Sequence, residues 1–128
     1  LRLLIVKLSS IGDVVQALCV LEPLRPLCSH LGWVVEPPSL PLLEGHPLLD
    51  RVHVFPKERL KAHLKGRLRG LLRDLAHLRE ELAGERYDVV LDMQGLFKSA
   101  VVVRLSAARR KVGFRATREL SYLALNER

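Results

Sequence analysis

Five short apolar runs punctuate this chain: LRLLIV at the start, then WVVE, RVHVF, YDVVLDM and KVGF. The first, Leu1 to Val6, is almost wholly apolar and does not alternate. That pattern belongs to a strand covered on both faces, as in a parallel sheet, and not to one with a wet side. Helical spacing separates most of the runs, so the chain reads as successive βαβ units. The expected fold is α/β: one Rossmann-like domain over residues 1–128, a mainly parallel sheet with helices on both faces.

The helical stretches can be placed from spacing and punctuation. From Asp13 or Val14 to about Glu22, Val14, Val15, Leu18, Cys19 and Leu21 form a broad apolar face, limited by Pro23 and Pro26. Gly32 precedes WVVE, which Pro37 and Pro38 stop; a loop with one helical turn leads to RVHVF, closed by Pro56. Between Glu58 and Gly84, Leu60, Leu64, Leu68, Leu71, Leu72, Leu75, Leu78 and Leu82 recur at spacings of three and four, the mark of an amphipathic helix. Gly66 and Gly70 each cost about 1 kcal/mol relative to alanine, which predicts a break near them. A helix is expected from Leu96 to about Ala108, and a terminal one in TRELSYLALNE.

With 48% hydrophobic and 27% charged residues, the chain has the apolar material for a packed core. No apolar run reaches the roughly 18 to 20 residues of a membrane span, so a soluble domain is expected. Aromatics are only 5%, too few for a platform that stacks single-stranded bases. The net charge of +7 points to anionic partners. Cys19 and Cys28 fit no zinc or CxxC pattern; Cys19, among Leu18, Val20 and Leu21, reads as a small buried hydrophobe in a reducing cytosol.

Ligands of an open parallel sheet collect beyond the carboxyl ends of its strands. Two polar loops fall there: KLSSIGD after the first strand and DMQGLFKS after the fourth. In the first, Gly12 permits a tight turn, Ser9 and Ser10 offer hydroxyls, and Asp13 arrives where a helix starts. Asp13 is either a helix N-cap or a general base able to take a proton from an attacking hydroxyl. With one glycine the loop is not the dinucleotide fingerprint, nor is it a P-loop, which disfavours an oxidoreductase. In the second loop Asp92 is at least as well read as a structural acceptor for loop amides, and Lys98 as a solvated helix residue.

Between Lys57 and Arg73 stand Lys57, Arg59, Lys61, Lys65, Arg67, Arg69 and Arg73 against Glu58 alone. Lys61, Lys65, Arg69 and Arg73 are four apart and make one stripe, either a solvated face or a patch for phosphates, acidic sugars or anionic lipid. Arg109, Arg110, Lys111, Arg115 and Arg118 form a second group. The five histidines fit no metal-site spacing and read as surface or satisfied core residues; no metal is expected.

Together, LIVKLSSIGDVVQAL, GWVVE, HPLLDRV, YDVVLDMQGLFKSA and FRATRE stand in an order and spacing that resembles the N-terminal half of the lipopolysaccharide heptosyltransferases, glycosyltransferase family 9. The resemblance covers almost the whole chain, and its most specific parts are the SSxGD loop and the DxQGLxKSA segment. It implies the N-terminal half of a GT-B enzyme that moves heptose, with inversion and without cofactor or metal, from ADP-heptose to the Kdo region of the inner core. By that resemblance Asp13 is the general base. Lys7, Ser9, Ser10, Gly12, Gln94 and Lys98 then adjoin the acceptor, with Arg59, Lys61 and Arg118 as its basic lining. The implied partners are a Kdo-lipid A acceptor, ADP-heptose held by a C-terminal domain, and the inner face of the inner membrane, with no nucleic acid. The implied location is cytoplasmic and peripheral. Family enzymes are more than twice this length, so a truncated, inactive acceptor domain is expected. The competing reading is a noncatalytic basic module for anionic polymers or nucleic acid.

Overall fold

The computed structural model describes residues 1–55, 65–95 and 97–113. Its strands are β1 (Arg2–Val6), β2 (His30–Val35), β3 (Arg51–Val54), β4 (Val89–Asp92) and β5 (Arg110–Gly113). They form one parallel sheet in the order β3-β2-β1-β4-β5. The central strand is the most apolar one. In β1, Leu3 to Val6 are at most 4% exposed, because Leu4 and Val6 face one core cluster while Leu3 and Ile5 face the other. Each such side chain contributes roughly 2 kcal/mol through burial, and only the middle of a doubly covered sheet offers that on both faces.

The helices segregate by face. On one side α1 (Ile11–Ala17), a 3-10 turn at Leu18–Val20, α2 (Leu21–Leu24) and α3 (Leu40–Leu43) bury Val14, Ala17, Leu21 and Leu43 against Leu3, Ile5, Trp33 and Val35. On the other, α4 (Lys65–Glu85) and α5 (Phe97–Leu105) bring Leu78, Leu82, Ala100, Val102 and Val103 onto Leu4, Val6, Val34 and Val90. The chain winds to one side from β1 and then restarts on the other, so the topological switch lies between β1 and β4. The Rossmann-like expectation holds.

Several boundaries differ from the sequence expectation. The first helix starts at Ile11, and three short helical segments replace a single run to Glu22, with Pro23 inside the last of them. The change of pitch at Leu18 turns the apolar face: Val14, Ala17 and Leu21 are buried, whereas Val15 and Cys19 are exposed. Cys19 is therefore not the buried hydrophobe expected; Cys28 is buried, and burial pushes its thiol upward. Strand β2 runs through Gly32, whose missing Cβ leaves room for the Tyr87 hydroxyl. Helix α4 passes unbroken through Gly66 and Gly70, because burial of Leu78 and Leu82 outweighs local propensity. It ends at Arg86, and α5 gives way at Ala107; both adopt positive φ, 51° and 55°, the stop usually left to glycine. The terminal helix expected in TRELSYLALNE lies outside the described residues.

His53 is the satisfied core histidine expected. It is fully buried, with Nδ1 2.5 Å from Glu81 Oε1 and Nε2 2.7 Å from the Tyr87 hydroxyl. Burial favours its neutral form and also raises the Tyr87 phenol.

Candidate active site

The polar loops after β1 and β4 meet at the switch point, and side-chain bonds tie them together. Gln94 Oε1 accepts from the Leu8 and Ser9 amides at 3.2 and 3.4 Å. Lys7 Nζ donates to the Met93 carbonyl at 3.3 Å, while its own carbonyl accepts from the Trp33 indole N–H at 3.0 Å. The buried indole thus anchors the point where β1 ends. Gln94 spends its acceptor on loop amides, so in this geometry it shapes the site.

Beyond that anchor, Ser10 takes the cap position of α1 with extended backbone, and its carbonyl accepts from the Val14 amide at 2.8 Å. Asp13 is therefore the third residue of the helix and not its N-cap. The Ser10 hydroxyl donates to Asp13 Oδ2 at 3.1 Å, and the carboxylate is exposed beside the positive end of the helix. The loop divides two cavities. A larger one, about 440 Å³, is lined by Leu8, Ser9, Ser10, Gly12, Glu36 and Ser39; a smaller one, about 330 Å³, is lined by Lys7, Asp13, Gln16 and Met93. Ser9, Ser10 and Gly12 thus face one space while Lys7 and Asp13 face the other.

Asp92 ends β4 with 1% exposure. Its Oδ1 accepts from the Gln94 and Gly95 amides at 2.9 and 3.0 Å, and its Oδ2 from the Ser99 hydroxyl at 3.1 Å. Burial raises its carboxyl above the ordinary aspartate value, against the pull of those three donors and the charge of Lys7. Gly95 has a φ of +70°, which the tight turn around this carboxylate requires. Asp92 is thus the structural acceptor of the second loop.

Lys98, in the first turn of α5, donates to Glu36 Oε1 at 3.0 Å. Glu36 follows β2 and is fully buried. Sequence reasoning passed over it, although a carboxylate closing the apolar run GWVV was a visible signal. Arg59, Lys61 and Arg118 lie outside the described residues. Of the basic stripe, Arg69 and Arg73 are exposed on α4. Among the described residues no three His, Cys, Asp or Glu side chains stand together as metal ligands, and no helix is long and apolar enough to cross a membrane.

What the site offers chemically is an accessible carboxylate on a loop pinned from below, bonded by the Ser10 hydroxyl and sharing a cavity with Lys7. Comparison with known proteins gives that chemistry a context. Residues 75–128 match glycosyltransferase family 9 (heptosyltransferase). Lipopolysaccharide heptosyltransferase 1 of Campylobacter coli is 31% identical over 89% of this chain and 31% of its own length; that of Escherichia coli K12 is 35% identical over 80% and 32%. The chain thus spans about a third of the length of these curated relatives. The structure of E. coli heptosyltransferase WaaC with ADP-2-deoxy-2-fluoro heptose superposes on all of this chain and 42% of its own, with a TM-score of 0.83 and 34% identity. The sheet is accordingly that of a GT-B glycosyltransferase domain, and the chain resembles the N-terminal part of the glycosyltransferase family 9 heptosyltransferases.

Proposed function

We propose that this chain is the acceptor-binding part of an inverting heptosyltransferase that moves heptose from ADP-heptose to the Kdo region of the lipopolysaccharide inner core. The observation that carries the reading is Asp13, an exposed carboxylate on a pinned loop at the switch point, in a chain that shares the family's fold and motifs. The acceptor hydroxyl bonds to Asp13. As its oxygen attacks the anomeric carbon the carboxylate takes the proton, and ADP leaves from the opposite face with the electron pair of the broken bond. Lys7 and Lys98, with Arg59, Lys61 and Arg118, supply cations for the Kdo carboxylate and lipid phosphates. Ser9, Ser10 and Gly12 present hydroxyls and backbone to the sugar, and Gln94 holds that loop in place.

Turnover needs a nucleotide-sugar-binding domain that residues 1–128 do not provide, and the enzyme works peripherally at the cytoplasmic face of the inner membrane. The test is transfer from ADP-heptose to a Kdo-lipid A acceptor, by this chain alone and by the chain joined to a family 9 donor domain. The expected outcome is acceptor binding by both and transfer by the second only. Transfer by the 128 residues alone would overturn the division of labour. Absence of transfer from both, with salt-sensitive DNA binding stronger than acceptor binding, would favour the noncatalytic basic module.

A further inference from the structure

The Glu36–Lys98 pair crosses the site in a way neither residue discloses alone. Strand β1 lies between β2 and β4 in the sheet. Glu36 leaves the carboxyl end of β2, and Lys98 begins the helix that follows β4. The bond between them therefore spans the loop that carries Ser9, Ser10 and Asp13. The Glu36 backbone is stitched to the same loop, since its amide donates to the Leu8 carbonyl at 3.1 Å. Glu36 also lines the larger cavity, so the ammonium it holds is one hydrogen bond from that cavity's wall.

Two features set this pair apart from an ordinary surface bridge. An ammonium in the first turn of a helix faces the positive end of the dipole, an unfavourable position that a nearby carboxylate offsets. A fully buried glutamate, in turn, is desolvated and needs a cation. An apolar pair would serve packing as well, and local rules are broken in this manner where a charge is required for function. Lys98 nonetheless keeps a third of its side chain exposed, and the bond to Glu36 uses one of the three N–H donors of its ammonium.

We infer that Glu36 is a positioning residue for anion recognition: it fixes the Lys98 ammonium over the SSxGD loop, where that ammonium meets the carboxylate of an acidic sugar acceptor. This rests on the heptosyl-transfer reading. Glu36 acts through Lys98, so the two form one unit, and removing either removes the same interaction.

The test is a double-mutant cycle in the protein carrying a donor domain, with Glu36→Gln, Lys98→Met and both together, assayed with a Kdo acceptor and with its carboxyl-reduced analogue. Each single change should raise KM for the carboxylated acceptor about tenfold with kcat within about twofold, and the double variant should be no worse than either. With the reduced analogue all four proteins should show the same KM. A merely structural pair would lower kcat or raise KM alike for both acceptors. Effects that multiply in the double variant, or an unchanged or lower KM in Glu36→Gln, would overturn the inference. The neutral double variant covers the case in which one unpaired buried charge prevents folding. Failure of the wild type to transfer heptose to any acceptor would overturn the functional reading instead, and the two failures are thereby told apart.

Discussion

The loops after β1 and β4 each carry an aspartate at the same end of the sheet, and the two carboxylates have opposite circumstances. Asp92 is 1% exposed with both oxygens bonded to its own loop; Asp13 is exposed, and the Ser10 hydroxyl is its hydrogen-bond partner. The difference teaches where chemistry can reside. A carboxylate committed to amides holds a turn in shape, whereas one that reaches solvent from a braced helix start can accept a proton. Gln94 joins the two, since its amide bonds to Asp92 and its side chain accepts from the first loop. The buried aspartate thus braces the exposed one.

The comparison breaks most sharply at Asp13. In the chain joined to a family 9 donor domain, Asp13→Ala should lower kcat by about a thousandfold, within the usual range for a lost general base. Acceptor binding and thermal stability should stay nearly unchanged, since a surface substitution shifts stability by about 0.5 kcal/mol or less. Turnover within a few fold of wild type would remove Asp13 from the mechanism. Asp92→Ala should do the reverse. It withdraws the acceptor of two amides and a hydroxyl in a buried turn, so an unfolding free energy lower by about 3 kcal/mol is expected in denaturant titration. Loss of activity without loss of stability would give Asp92 a chemical role.

The strands were legible because each is an apolar run closed by glycine, proline or a charge, and α4 because its leucines keep helical spacing over many turns. What was not legible depends on partners distant in sequence. Gly32 looked like punctuation, but the Tyr87 hydroxyl that needs its missing Cβ comes from the approach to β4. The turn of pitch at Leu18 that exposes Cys19 follows from packing on β1 and β2, and no local pattern announces it. Glu36 and Lys98 are 62 residues apart, and their meeting follows only from the placement of β1 between β2 and β4. Asp13 stood out in sequence, whereas its height in the helix, in the first turn rather than at the cap, required the backbone.

The buried carboxylate of Asp92 also responds to acid, and here the effect is smallest. Burial, the largest influence on Asp92, raises its folded-state carboxyl above the ordinary value near 3.8, so the folded protein binds the proton more tightly than the unfolded chain. Its contribution is therefore fully present below the unfolded value and is lost as pH rises through the raised folded one. Asp92→Asn removes this dependence while keeping an acceptor for the Gln94 and Gly95 amides. The difference in unfolding free energy, wild type minus Asp92→Asn, should fall as pH rises from 3.5 upward and then level off, a change on the order of 1 kcal/mol for each unit by which the carboxyl is raised. Guanidinium titrations of both proteins at several pH values measure it. A difference that instead grew with pH would mean that the three donors outweigh burial and that Asp92 is held ionised in the folded protein.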